Sequence, residues 1–330
     1  MARPLFITFV KVITFSNKSK QYLLVALKVL ILASVLFFLY NKITRTETTT
    51  WSQFKNHIFT DFGETKWILL SVLLLTTLNW LLEILKWKSL VSYLKPITFI
   101  EAARQTLAGS TLTFITPAKI GDYGIKASYH PINQRKQIVL LNLISNLSQM
   151  AITVMLGIVG CYYLAYHKEM SDIKSLFPWL CLLGILGLFL LWIFKNKQWF
   201  SKGVSLKNGF LFFSKINRKI KLKILLYALL RYVCFSFSFY LLIRVFGGDI
   251  TLIDALAPIV AMYFLASVLP SFFIIDVAVR GGIAAYLLAP FDVSALPVLT
   301  TSLTMWLLNF ALPAIIGSYF VLTYKATTAQ

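Results

Sequence analysis

The chain has 330 residues, of which 58% are hydrophobic and 13% are charged, and its mean hydropathy is +0.76. A soluble domain has about a quarter of its residues charged, so this composition excludes a soluble globular protein and predicts one polytopic, all-α membrane domain over residues 1–330. The basic residues behind the net charge of +20 lie between apolar runs, which is typical of membrane topology signals and excludes a nucleic-acid-binding surface.

Six apolar runs are long enough to cross a bilayer as helices. They are residues 22–40, 66–85, 137–165, 176–194, 224–246 and 295–323. The first run follows a basic segment but lacks a small-x-small cleavage site, so we interpret it as a retained span rather than a signal peptide.

The charges between the spans predict the orientation. Residues 195–223 contain nine Lys or Arg and no acid, which places this loop in the cytoplasm. Loops 41–65 and 166–175 mix bases with acids and are assigned to the outside. Both termini are then cytoplasmic, and we expect a bacterial cytoplasmic (inner) membrane protein.

Two further segments, 97–131 and 250–290, are predicted to form re-entrant or broken helical hairpins. Each contains a proline, Pro117 or Pro270, that removes a backbone donor and interrupts a helix, and Gly121 relaxes the chain after the first break. Because irregular backbone at membrane depth is tolerated only inside protein or beside water, the two breaks predict a polar cavity.

These two segments are related at an offset of 153 residues. Between 97–117 and 250–270, seven of 21 positions are identical, where composition alone gives about two. One inserted residue then aligns Asp122 with Asp276 and Lys126 with Arg280. The charges of the loops indicate that the two segments begin on opposite sides of the membrane. We therefore predict an inverted repeat with units at about 66–165 and 224–323.

Charged residues in or beside the membrane are the candidate site residues. Glu101 and Asp254 open the two hairpins, where an acid stabilises the positive end of a helix dipole. Glu83 and Arg244 lie near the ends of predicted spans, where we expect their charged groups to reach the membrane interface.

Six side chains near the breaks are predicted to bind substrate. The four bases suit an anionic group, and arginine suits phosphate by its forked geometry. The two acids either hold a base four residues later or bind the cationic part of a zwitterion; self-neutralising structural pairs remain the alternative. The six are Lys119, Asp122, Lys126, Arg231, Asp276 and Arg280.

Motifs for enzyme chemistry are absent from the sequence. It has no nucleotide-binding loop, no GxSxG and no CxxC. His57, His130 and His167 are scattered without metal-ligand spacing. We therefore assign no catalytic residue, no metal and no cofactor, and any transport is expected to run without ATP.

The segment TPAKIGDYGIK resembles the first motif of the lysylphosphatidylglycerol synthase/flippase membrane-region family, roughly P-x-[RK]-x-G-E-x-x-[RK]. Pro117, Lys119, Gly121 and Lys126 match it, with Asp122 in place of the usual Glu. Of the second motif, roughly P-x(n)-G-G-x-G-x-R-E, this sequence retains Pro270 and Arg280.

The resemblance extends over residues 15–324 and implies a module that moves lipids between leaflets, without the soluble synthase domain of some relatives. Our leading hypothesis is a lipid translocase or flippase for an anionic or zwitterionic lipid headgroup, such as an aminoacylated or polyprenyl lipid. The alternatives are a membrane-embedded transferase with Asp122 as base, or an accessory subunit for lipid-linked substrates. Membrane lipids are the expected partners, and the sequence leaves a homo-oligomer open.

Overall fold

The computed structural model describes residues 62–116, 119–175, 178–179, 206–268 and 273–324. These ranges contain helices and connecting turns and no β-strand. Both hairpin prolines, Pro117 and Pro270, lie outside the described residues, as do the predicted spans 22–40 and most of 176–194, and the first part of the basic loop 195–223.

Four long helical segments are apolar enough to cross a membrane, and they coincide with four of the six predicted spans. Three are the continuous helices α1 (Phe62–Val91), α4 (Arg135–His167) and α6 (Arg218–Val245). The fourth consists of α9 (Ala295–Trp306), a π-helical turn (Leu307–Ala311) and α10 (Leu312–Leu322).

The π-helical turn in the last span has a local cause. Pro313 is the second residue of α10, and a proline inside a helix lacks the amide donor and its ring clashes with the carbonyl four residues earlier. That carbonyl belongs to Asn309, in the π turn, where the wider spacing relieves the clash.

Four short helices form the two predicted hairpins. The first hairpin contains α2 (Phe99–Ile115) and α3 (Ile120–Ser128), and the second contains α7 (Leu252–Val268) and α8 (Phe273–Leu288). Thus α2 and α7 start 153 residues apart. The two segments therefore share the position of their first helix start as well as sequence. A further short helix, α5 (Leu206–Lys215), precedes α6.

The acids Glu101 and Asp254 cap the hairpin helices. The Thr98 amide donates to Glu101 Oε2 (2.7 Å) and the Glu101 amide donates to Thr98 Oγ1 (3.2 Å), which completes a capping box. At the second hairpin the Asp254 amide donates to Thr251 Oγ1, and that hydroxyl donates to Asp254 Oδ2. Each cap satisfies amide groups that a helix start otherwise leaves unpaired.

Each hairpin packs on a long helix from the other half of the chain. Helix α2 packs mainly on α10, and α7 packs mainly on α4, while α1 and α6 form the most extensive pair. Glycines allow close approach at both hairpin contacts: a Cβ at Gly317 would overlap the Leu107 carbonyl, and one at Gly157 would overlap Phe264. Small residues of this kind let membrane helices approach without a polar cost.

The buried apolar side chains form two clusters. One lies among α4, α6, α7, α8 and α9 and includes Leu164, Phe239, Met262, Leu287 and Val298. The other lies among α1, α4 and α6 and includes Trp87, Leu90, Ile138, Leu141 and Ile224.

We predict that Gly317→Ala lowers the free energy of unfolding by about 1–3 kcal/mol, the range for overpacking a close contact. The added methyl group has no room against the α2 backbone. Ser318→Ala is the matched control, because the Ser318 hydroxyl bonds only the Ile315 carbonyl of its own helix among the described residues. Thermal unfolding in detergent measures both; equal midpoints would contradict the packing described here.

Candidate functional site

One cavity of about 540 Å³ lies among the hairpin and span helices. All six residues predicted to bind substrate line it, although they come from three helices of the two halves, α3, α6 and α8, and from Lys119 just before α3. Its wall also contains uncharged polar side chains, among them Asn79, Thr106, Ser110, Gln149 and Asn309. The structure therefore brings the six residues together in one polar chamber.

Glu83 is the centre of the first ionic cluster. Its carboxylate forms ion pairs with Arg231 and with Lys86 (2.8 Å), and the Lys86 side chain is only 1% exposed. The prediction that Glu83 reaches the membrane interface is wrong, because α1 continues to Val91 and holds Glu83 well inside the helix. Arg244, the other residue assigned to the interface, is exposed near the end of α6.

Amide side chains complete the coordination of Arg231. Its Nε donates to Asn79 Oδ1 (3.0 Å) and its Nη1 donates to Gln149 Oε1 (3.2 Å). Asn79 in turn donates to Asn309 Oδ1 (2.8 Å). The Arg231 guanidinium is thus held by α1 and α4, and we did not identify these amides from the sequence.

Asp122 and Lys126 form a second, self-contained cluster on α3. Lys126 Nζ lies 2.9 Å from Asp122 Oδ1 and donates to Asn142 Oδ1, also at 2.9 Å. The Asn142 amide donates to Asp122 Oδ2 (2.7 Å), and the ammonium lies over the Trp87 ring at 4.5 Å. Gly109 leaves room for the carboxylate, since a Cβ there would overlap it. Both charges are fully paired and buried.

Asp276 and Arg280 repeat this arrangement on α8 with a more open base. Arg280 Nε donates to Asp276 Oδ2 (2.8 Å), and the guanidinium lies 5.6 Å from the centre of the Tyr263 ring. The two terminal guanidinium nitrogens bond no residue that the structure describes, and the side chain is 32% exposed. Arg280 therefore keeps donors available at the cavity wall.

Lys119 has an unusual backbone and an open side chain. It immediately precedes α3 with φ 58°, in the left-handed region that a lysine adopts at a cost of about 1–3 kcal/mol. Its side chain is exposed, lines the cavity and forms no ion pair with a described residue. Gly121 is required two residues later, because a Cβ there would lie 2.6 Å from the Leu112 carbonyl oxygen. The Gly121 amide donates to Thr116 Oγ1 (2.8 Å).

Glu101 and Asp254 are not among the residues that line the cavity. The Thr98 backbone amide and hydroxyl bond the Glu101 carboxylate and hold its pKa below its ordinary value. Asp254 lies 3.7 Å from Lys168 at the surface. Both acids therefore stabilise the first turns of the hairpin helices and do not contribute to the cavity wall.

The charges that line the cavity do not cancel. Five bases face three acids, which leaves an excess of two positive charges; the bases are Lys86, Lys119, Lys126, Arg231 and Arg280. In the described ranges no group of three or more His, Cys, Asp or Glu side chains is placed to hold a metal ion. The cavity is therefore suited to an anionic group held by side-chain donors.

Replacing the central carboxylate tests the first ionic cluster. We predict that Glu83→Gln lowers the free energy of unfolding by about 3–5 kcal/mol, as expected when one partner of a buried ion pair is removed. Lys86 then remains as an uncompensated buried charge.

A double variant and a surface control separate this effect from general damage. Glu83→Gln/Lys86→Met should recover part of the loss, because it removes both charges, whereas Asp249→Asn at an exposed position should change stability by less than about 0.5 kcal/mol. Thermal unfolding in detergent measures all three, and a Glu83→Gln protein as stable as the wild type contradicts a central role for this carboxylate.

Comparison with known proteins places these features in a family. A family model described as the lysylphosphatidylglycerol synthase TM region matches residues 25–317, a range that includes every residue lining the cavity. Comparisons with curated proteins and with solved structures found no match. The chain belongs to the lysylphosphatidylglycerol synthase TM region family.

Proposed function

We propose that this protein is a lipid translocase, in which the headgroup of an anionic or zwitterionic lipid passes through the polar cavity while its tails stay in the bilayer. The observation that supports the proposal is a positively charged chamber enclosed by helices that are apolar enough to span a membrane. Membership of a membrane lipid-related family supports it as well.

The size of the cavity fits this proposal. A volume of about 540 Å³ lies within the range of about 300–1,000 Å³ that is common for small-molecule sites. Such a chamber accommodates a lipid headgroup but not two acyl chains. The apolar outer surfaces of the span helices, with Leu74 and Val159 exposed, suit contact with the tails.

We propose that the two hairpin segments are inverted copies that alternate access to the cavity. The starts of α2 and α7, 153 residues apart, support a repeat, and the charge pattern of the loops supports opposite orientations. The repeat units are residues 66–165 and 224–323. Motion of one unit against the other would expose the cavity to one leaflet and then to the other.

The pairing of Asp122 favours a translocase over a transferase. A catalytic base needs a carboxylate oxygen within reach of the proton that it removes. Both Asp122 oxygens are bonded, one to Lys126 and the other to Asn142. This acid is better placed to position Lys126 than to accept a proton from substrate.

The proposed setting is the cytoplasmic membrane with both termini and the basic loop 195–223 on the cytoplasmic side. Juxtamembrane bases attract anionic lipids by about 1 kcal/mol each near the surface. The loop would thereby concentrate anionic lipid beside the translocase. No nucleic acid and no cofactor is part of this proposal.

A cavity-filling variant tests the proposed path. Thr153 on α4 lines the cavity, and Thr153→Trp should slow lipid movement in proteoliposomes about tenfold or more because the indole occupies the headgroup path. Val159→Trp is the matched control, since Val159 lies on the same helix, is 65% exposed and is not among the cavity-lining residues.

The assay measures transfer of a headgroup-labelled lipid from the inner to the outer leaflet. Wild type and Val159→Trp should both exceed protein-free vesicles. Equal rates for Thr153→Trp and wild type would mean that lipids do not pass through this cavity.

A further inference from the structure

The charges in the cavity differ in whether they are available to a ligand. Each of the three carboxylates already has a basic partner: Glu83 pairs with Lys86 and Arg231, Asp122 with Lys126, and Asp276 with Arg280. An ammonium group on a ligand would therefore have to displace a protein base to reach any of them.

The bases are not equally occupied. Lys126 is saturated by Asp122, Asn142 and the Trp87 ring. Arg231 is held by Glu83, Asn79 and Gln149. Lys119 and Arg280, by contrast, keep donors that no described residue accepts, and both line the same cavity. One lies just before α3 and the other lies on α8, so each hairpin contributes one open cation.

Uncharged polar side chains also line the cavity, among them Ser110, Thr113 and Asn146. Their hydroxyl and amide groups both donate and accept hydrogen bonds. Hydroxyl groups on a ligand also supply both donors and acceptors, so they suit this part of the wall.

We propose that the translocated lipid has a phosphate-bearing, hydroxylated headgroup without an ammonium group, and that Lys119 and Arg280 together hold its phosphate. This inference rests on the proposed function and names the class of substrate. Phosphatidylglycerol has the required chemistry. Lysylphosphatidylglycerol and phosphatidylethanolamine add positive charge to a site that already has an excess of two bases, where the low dielectric strengthens repulsion.

Three lipids of different charge test the selectivity. Phosphatidylglycerol, phosphatidylethanolamine and lysylphosphatidylglycerol are placed one at a time, as minor components, in phosphatidylcholine vesicles that contain the purified protein. Periodate reports glycerol headgroups that reach the outer leaflet, and an amine-reactive dye reports the other two. Phosphatidylglycerol should move about tenfold faster or more, the effect expected for one charge-assisted bond.

The outcomes distinguish the two levels of the proposal. If lysylphosphatidylglycerol or phosphatidylethanolamine moves as fast as phosphatidylglycerol, the charge selectivity is overturned while translocation stands. If none of the three moves faster than in protein-free vesicles, the proposed function itself fails. Uptake of radiolabelled glycerol phosphate above the protein-free level would assign the site to a soluble ester and overturn the lipid assignment.

Variants of the open cations test the residues. Lys119→Gln and Arg280→Gln should each slow phosphatidylglycerol about tenfold or more. Lys119→Glu removes the excess charge and adds an acid, so it should also increase the rate for lysylphosphatidylglycerol. Lys66→Gln, at an exposed position outside the cavity, should leave all rates unchanged.

A structural role for Lys119 would not produce this change in preference. A Lys119→Glu protein that unfolds normally but slows all three lipids equally would overturn the assignment of Lys119 to the phosphate. Unchanged phosphatidylglycerol rates in both glutamine variants would overturn the assignment of the pair.

Discussion

A charge inside a membrane costs several kcal/mol unless it is paired or wet, and this constraint determines how the interior of the protein is built. Glu83 satisfies this constraint because its carboxylate forms ion pairs with Lys86 and Arg231. Asn79 and Gln149 accept further hydrogen bonds from the Arg231 guanidinium. These contacts join α1, α4 and α6 at the wall of the cavity. The ionic cluster thus contributes to the fold and supplies one of the two excess positive charges of the chamber.

The two hairpin segments place further charges beside the same cavity, and each of their acids is paired with a base. Because α2 ends at Ile115 and α3 starts at Ile120, the first turn of α3 places Asp122 beside the cavity, where Lys126 neutralises its charge and Asn142 donates a hydrogen bond to it. The second hairpin repeats the acid–base pair with Arg280 less enclosed. In a continuous helix of the same length, these charged residues would be spread along the helix across the bilayer and would not lie together beside the cavity.

Much of this architecture could be predicted from the sequence, because long apolar runs and prolines report directly on membrane helices and their breaks. Four predicted spans coincide with long helices, and α2 and α7 start 153 residues apart, the offset of the predicted repeat. A charge in an apolar segment is unusual, and this feature singled out six residues that line one cavity; their role in binding substrate stays a prediction. The inverted orientation remains a prediction from the loop charges.

The errors and omissions have physical reasons. Glu83 was misplaced because Lys86 and Lys88 resemble the end of a span, whereas tertiary pairing allows α1 to continue to Val91. Amides such as Asn142 are common in sequences, and their importance depends on which charges approach them in three dimensions. For the same reason the sequence did not separate the saturated Lys126 from the open Lys119. That distinction depends on the side-chain partners of Lys126.

In the proposed mechanism, an anionic headgroup occupies the cavity and is held there by the two open cations, Lys119 and Arg280. Native mass spectrometry of lipids that remain bound after purification tests it most directly, with the wild type compared against Lys119→Gln/Arg280→Gln. The account predicts that the wild type retains an anionic, hydroxylated phospholipid and that the double variant loses it. Retention of an aminoacylated lipid by the wild type, or equal retention of the anionic lipid by both proteins, would contradict the account.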